Sequence, residues 1–452
     1  MNTKFLYLFI AIGLFFISGC AQDSSGAATL NTQQNSQLNV PQDSPLRPSE
    51  AEMVITRPIA YQSDSRISYC EVTLSKQNTY TGFRDQTMYP LASLSKVITT
   101  AWALKKLGPD FKFKTTWFLN PVKNQNGVFD AYLKTNFDPI FNIEKILFSL
   151  SELNKKGVLS IRNLVIDETT HIFLSVLSDP HIDLDKVPIN STDSAQNLKL
   201  ILNSQNWSSQ TQAAKEKLQA WAIVNNKILS IPTYFSVEDV QVKKSVDIIT
   251  ANYNSQVVIN SSSLLKYLKN LNVYSNNYVT DALFEYLGGT EEFKKFQISE
   301  LKIVTKDLQF LTGSGLAETE TGIRKDNLGT CVSMLKVLKY VDQLTTQLGI
   351  NLGHILYNPT QDLDGTFDGS LKFSNQVLFK TGRLYDNPAL NLAGVISTKS
   401  GTVYFSFLGH DFLESDSAEI EKIRDNILSS ALSYYSVINS YLTLNEYKIF
   451  LD

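Results

Sequence analysis

Three short segments carry residues whose types and spacing suit one kind of chemistry. Ser93-Leu94-Ser95-Lys96 places a hydroxyl and an amine three residues apart. On an α-helix, positions i and i+3 share a face, so the amine can meet the hydroxyl without help from a loop. Ser275-Asn276-Asn277 adds a second hydroxyl and a side-chain amide. Lys380-Thr381-Gly382 adds a second amine, a hydroxyl and a residue with no side chain. A serine, an amine and a positive helix end together suit acyl transfer. Ser-x-x-Lys recurs at Ser263, Ser299 and Ser333, and Ser-x-Asn at Ser204, whereas Lys-Thr-Gly occurs once. The weight therefore falls on order and placement rather than on any one motif.

The elements that must position these residues are partly visible. Pro90 restrains the entry to the first motif; Val97, Ile98, Ala101, Trp102 and Leu104 have helical spacing, and Gly108 is a fitting stop. A buried helix beginning at Ser93 is expected, with its N-terminal end, where the dipole favours negative charge, as the exposed tip. Leu264, Leu265 and Leu268 mark a helix leading up to Ser275; Val279, Ala282, Leu283 and Tyr286 mark the next, stopped at Gly288. Val377 to Thr381, Leu392 to Ser397 and Thr402 to Leu408 read as three strands, with Lys380 on the first. Ile67 to Leu74 reads as a further strand, and Leu164 to Asp167 as a short buried one. Helices are expected around Ile143–Leu153, across 193–225, over Val332–Val341 and around Ile420–Ala431. Between Gly108 and Ile143 the pattern loosens into Thr, Asn and Gly, and Gly313-Ser314-Gly315-Leu316 is a tight turn. Strands interleaved with long helices at both ends suggest an α/β domain with an insertion in its middle.

A chain of 452 residues is too long for one core, so two or more domains are expected. A net charge of −3 offers no basic footprint and argues against a nucleic-acid partner. None of the four histidines has metal-ligand spacing, no Gly-x-Ser-x-Gly elbow occurs, and the chemistry calls for no metal or organic cofactor. Lys4 precedes an apolar run, Phe5 to Ile17, too short to span a bilayer and suited to a signal peptide. Ile17-Ser18-Gly19-Cys20 resembles a bacterial lipobox, which implies acylation of Cys20 and attachment to a membrane through lipid; a plain secretory signal is the alternative. Ala21 after the cysteine, by resemblance to Gram-negative lipoproteins, favours the outer membrane and a periplasmic location. Residues 21–50, rich in Gln, Asn, Ser and Pro, read as a tether. Cys70 and Cys331 either pair in an oxidising compartment or are two buried thiols.

The order Ser-x-x-Lys, Ser-x-Asn, Lys-Thr-Gly is that of β-lactamases and penicillin-binding proteins. The flanking residues are more specific. Pro90 to Thr99, Ser275 to Gly288, Gly313-Ser314-Gly315-Leu316, and Lys380 to Leu384 followed by Asn391-Leu392-Ala393-Gly394 resemble type-4 penicillin-binding proteins. These are the low-molecular-mass class C D-Ala-D-Ala carboxypeptidases and endopeptidases. The resemblance implies a transpeptidase fold of the penicillin-binding-protein/β-lactamase kind: a central antiparallel sheet flanked by helices (α/β, or α+β), with an inserted α/β domain. It places the peptidase domain at 51–112 and 246–452 and the insert at 113–245. It implies Ser93 as nucleophile, Lys96 as general base, Ser275 as proton relay and Lys380 as a further catalytic group. Asn277 would hold the substrate's amide, Lys380 and Thr381 its carboxylate, and the backbone around Gly382 and Arg383 the oxyanion. Asp167 is a further substrate-binding candidate, with a strand-end cap as the alternative. Peptidoglycan stem peptides would be the substrates and β-lactams covalent inhibitors.

The sequence departs from the family at Arg383, where Ser or Thr is usual, and at Thr312, where Asp is usual. The Arg383 cation is expected either to attract an anionic stem peptide or to face solvent. Two further functions compete: a peptidoglycan-binding lipoprotein without catalysis on the same scaffold, and a β-lactamase. The long interval between Ser93 and Ser275 argues against the latter, and the intact motifs against the former.

Overall fold

The structure is a computed structural model. It describes residues 59–444 and 451, apart from 74–78, 175–190, 321, 363, 364, 366, 368–375 and 440. The signal segment, Cys20 and the tether lie outside the described residues.

In chain order the strands are β1 (Ile67–Thr73), β2 (Thr79–Phe83), β3 (Tyr89–Pro90), β4 (Lys114–Pro121), β5 (Val128–Lys134), β6 (Ser160–Asp167), β7 (Ser236–Lys243) and β8 (Ser255–Asn260). They continue with β9 (Leu308–Gln309), β10 (Glu318–Glu320), β11 (Ile323–Lys325), β12 (Leu328–Gly329), β13 (Val377–Leu384), β14 (Ala389–Thr398) and β15 (Gly401–His410). The helices are α1 (Ser95–Leu107), α2 (Ile143–Lys155), α3 (Ser191–Leu202), α4 (Ser209–Val224), α5 (Leu264–Val273), α6 (Asn277–Tyr286), α7 (Gly289–Ser299), α8 (Cys331–Gln347) and α9 (Ser417–Tyr434).

The main sheet is antiparallel in the order β13-β14-β15-β1-β2, so the end of the chain closes onto its beginning. Its strands are apolar on both faces because both faces are covered. Leu378, Ala393, Val395, Tyr404, Leu408, Cys70 and Val72 pack with α1, α5, α6 and α8. The residues between them, Phe379, Leu392, Ile396, Phe405, Phe407 and Tyr69, pack with α9. Successive side chains on a strand alternate faces, and that pleat divides the two cores.

A second sheet, β7-β6-β5-β4-β8, has parallel pairs at β5–β6 and β6–β7 and antiparallel pairs elsewhere. Parallel neighbours need crossovers, supplied by α2 between β5 and β6 and by α3 and α4 between β6 and β7. Its core is Trp117, Leu133, Ile146, Leu150, Leu164, Ile166, Leu198 and Leu218 with their neighbours. This sheet runs on to Asn260, beyond the return at 245 expected from sequence, because β8 pairs with β4 and buries only alternate residues. The stretch read as one helical run, 193–225, is broken at Trp207 into α3 and α4. Asp138, Lys145 on α2 and Tyr267 on α5 form a buried hydrogen-bonded triad that ties this part to the helices around the main sheet.

Candidate active site

Ser93 lies in a 3-10 turn, Ala92–Leu94, and α1 begins only at Ser95, two residues later than expected. Ala92 before it is in the left-handed region at φ 48°, which costs a non-glycine residue about 1–3 kcal/mol. Three contacts over-determine that conformation. The Leu91 N–H donates to Asn327 O at 2.8 Å. The buried Asn391 amide on β14 donates to Pro90 O at 2.8 Å and Leu91 O at 3.0 Å, and its oxygen accepts the Gly409 N–H at 3.2 Å. Gly382 on β13 packs so close that a Cβ there would lie 2.9 Å from Leu91 O.

Lys96 is wholly buried in the first turn of α1. Its amine lies 2.8 Å from Ser93 Oγ, 2.7 Å from Asn277 Oδ1 and 2.9 Å from Ser314 O. Burial pulls its pKa down to about 7, against an opposing pull from the Asp281 carboxylate. The displacement from 10.5 corresponds to roughly 5 kcal/mol in favour of the neutral amine. A neutral amine has two N–H groups and a lone pair. Asn277 Oδ1 and Ser314 O can only accept, so they take the two N–H groups and leave the lone pair for the Ser93 hydroxyl proton.

Ser275 also sits in the left-handed region, at φ 55°, between α5 and α6, where Asn276 caps α6 by accepting the Val279 N–H at 3.0 Å. That strained junction presents the Ser275 hydroxyl to Lys380, whose amine donates to it at 3.0 Å. Lys380 is buried on β13, and burial, then the neighbouring Lys96, pushes its pKa well below the usual lysine range. The pleat explains the placement: Leu378, Lys380 and Gly382 face α1, while Phe379, Thr381 and Arg383 take the opposite face.

Thr381 adjoins the Lys380 amine at the edge of the sheet: its carbonyl accepts from that amine at 3.0 Å. Arg383 pairs with Glu414, in the turn before α9, and with Glu421 on α9, which accept from it at 2.6 and 3.4 Å, and its guanidinium lies over the Tyr385 ring. The Arg383 side chain remains 38% exposed. A cleft of about 540 Å³ opens beside Asn277, walled by Leu316, Thr319, Arg324, Arg383 and Tyr385. Asp167 is fully buried at the end of β6; it accepts from Tyr132, Thr169 and Thr170, as a strand-end cap does.

Two of the other copies of these motifs serve structure. The Ser333 hydroxyl donates to Thr330 O, and Ser204 Oγ accepts the Phe235 N–H. Asn391, Asn327 and Asp281 were not recognised from sequence as parts of the site. Asn327 bridges Ser95 Oγ at 3.0 Å and Thr312 O at 2.7 Å.

The chain's relatives share this arrangement of elements. It is similar to the Bd0816 predatory endopeptidase from Bdellovibrio bacteriovorus, solved in complex with the immunity protein Bd3460: 29% identity, 85% of this chain and 97% of that one covered, TM-score 0.73. It is also similar to the Bd3459 predatory endopeptidase of the same organism, acylated by penicillin G: 26% identity, 85% and 98% covered, TM-score 0.69. Penicillin-binding protein 4 from Haemophilus influenzae, at 20% identity, 81% and 97% covered and TM-score 0.52, shares the fold. No curated protein matches the sequence. The sequence profile of the D-Ala-D-Ala carboxypeptidase 3 (S13) family matches residues 71–185 and 212–431, more than half of the chain. The chain belongs to that family, the D-Ala-D-Ala carboxypeptidase 3 (S13) peptidases.

Proposed function

We propose that this serine peptidase cleaves the D-Ala-D-Ala or D-Ala–diaminopimelate bonds of peptidoglycan stem peptides through an acyl-enzyme on Ser93. The observation that carries the assignment is the wholly buried Lys96 amine 2.8 Å from Ser93 Oγ. Ser93 attacks the scissile carbonyl as its proton passes to the neutral Lys96. The backbone N–H groups of Ser93 and Arg383 hold the oxyanion, each worth on the order of 3 kcal/mol. This role needs no particular side chain at position 383. Ser275, hydrogen-bonded to the Lys380 amine, hands a proton to the leaving nitrogen. Asn277, its oxygen occupied by Lys96, keeps its N–H₂ to donate to the substrate's amide carbonyl. Lys380 draws the substrate's carboxylate, and an anion beside it offsets the penalty that burial places on its charged form. Water then hydrolyses the acyl-enzyme. Relatives that are endopeptidases, and one acylated by penicillin G, support both cleavage within cross-links and inhibition by β-lactams.

The same proposal places the enzyme in the periplasm, held by lipid on Cys20 at a bacterial membrane, the outer one favoured, with residues 21–50 as tether. The Cys70–Cys331 disulfide fits an oxidising compartment. The test is intact-protein mass after incubation of the full chain with benzylpenicillin. One penicilloyl adduct, absent in Ser93→Ala, is expected; an unmodified chain with the penicillin left intact would favour a binding protein without catalysis, and rapid turnover of the drug a β-lactamase.

A further inference from the structure

Lys96 hangs on a carbonyl that belongs to none of the three motifs. Ser314 O, its acceptor at 2.9 Å, lies in the turn Gly313-Ser314-Gly315. That turn is pinned from two helices. The Thr99 hydroxyl on α1 donates to Gly313 O at 2.9 Å, and the Ser314 N–H donates to the Asp281 carboxylate on α6 at 2.7 Å. Gly315 closes the turn at φ 85°, and a Cβ on it would lie 1.9 Å from Ala92 O, so the turn is in backbone contact with the nucleophile segment. Asp281 stands four residues after Asn277, on the same face of α6. One helix face thus supplies both acceptors that take the Lys96 N–H groups, Asn277 Oδ1 directly and Ser314 O through the Asp281 carboxylate.

We propose that Asp281 is the positioning residue of the general base: its carboxylate fixes the Ser314 peptide so that Lys96 keeps two acceptors and turns its lone pair on Ser93. The proposal rests on the assignment of Ser93 and Lys96 above. Among the described residues, the charged groups facing Lys96 are Asp281 from α6 and Lys380 from β13. Asp281 therefore acts twice. Its oxygen anchors the turn, and its charge favours protonation of Lys96, opposing burial.

Two substitutions separate these actions. Asn at 281 can still accept the Ser314 N–H but carries no charge; Ala can do neither. The experiment is the rate of acylation of the full chain by a fluorescent penicillin between pH 5 and 9. For Asp281→Asn the midpoint of the rate–pH curve is expected to move to lower pH by about half a unit or more, with a plateau near that of the wild type. For Asp281→Ala the plateau is expected to fall about tenfold or more, as for a lost positioning hydrogen bond. Asp281→Glu is expected to restore the wild-type midpoint. A midpoint does not depend on how much of the chain is folded, so a folding defect cannot imitate the first result. A wild-type midpoint in Asp281→Asn together with a wild-type plateau in Asp281→Ala would overturn the proposal while leaving Ser93 as nucleophile. No adduct on the wild-type chain would overturn both.

Discussion

Lys96 Nζ and Ser93 Oγ lie 2.8 Å apart with the amine wholly buried and its pKa held at about 7. The base is the deprotonated form, so acylation by a β-lactam should rise with pH through about 7 and level off above it. Below the midpoint the rate should fall about tenfold per pH unit. Lys96→Met keeps the length of the side chain without its amine and should lower acylation on the order of 10³-fold. Stopped acylation assays across pH, with circular dichroism of the variant, check both. A flat profile between pH 5 and 9 would remove Lys96 from the role of base.

Asn391 joins three backbone groups: Pro90 O, Leu91 O and Gly409 N. Asn391→Ala leaves all three buried without that partner. A stability loss of about 2–4 kcal/mol is expected in urea unfolding, together with slower acylation, because the turn carrying Ser93 is released. Unchanged acylation in a destabilised variant would show that β13 and Asn327 hold the turn unaided.

Cys70 on β1 and Cys331 at the start of α8 are joined by a disulfide with Cα atoms 6.0 Å apart and a sequence separation of 261. A loop this long confines the unfolded chain strongly. Replacing both residues by Ala should cost about 4–5 kcal/mol and lower Tm by several degrees, with no direct effect on the site. Differential scanning calorimetry with and without reductant is the check, and an unaltered Tm would mean that the link constrains little.

Asp167 tests a residue that sequence offered to the substrate and structure gives to a strand end. Asp167→Asn should cost about 1–3 kcal/mol, through its bonds to Tyr132 and Thr169, and leave KM for a diaminopimelate-containing stem peptide unchanged. A several-fold rise in KM at unaltered kcat would return Asp167 to the substrate.

The local parts of this molecule were legible because their signals are local. Helix α1 shows in the spacing of Val97, Ile98, Ala101, Trp102 and Leu104, and Gly108 ends it at φ 78°. The strands β13, β14 and β15 read as apolar runs because both their faces are buried. The second sheet was harder: of β7 only Val237 is buried, and β8 buries two residues of six, so each offers few of the buried apolar positions by which a strand is read. Residues 114–134 carry two strands whose Thr, Asn and Lys positions hid the alternation.

By itself the sequence determined which residues can react. Ser93, Lys96, Ser275 and Lys380 stand out by type, spacing and order, and spacing along a helix or strand is set by covalent geometry. Tertiary structure decided what surrounds them. The fold brings Lys380 beside Ser275, pairs Arg383 with Glu414 and Glu421, and offers Lys96 its second acceptor in the Gly313–Gly315 turn. Those relationships join separate segments of the chain, and Asp281, Asn327 and Asn391 acquire their roles only when burial forces each backbone group near Ser93 to find a partner.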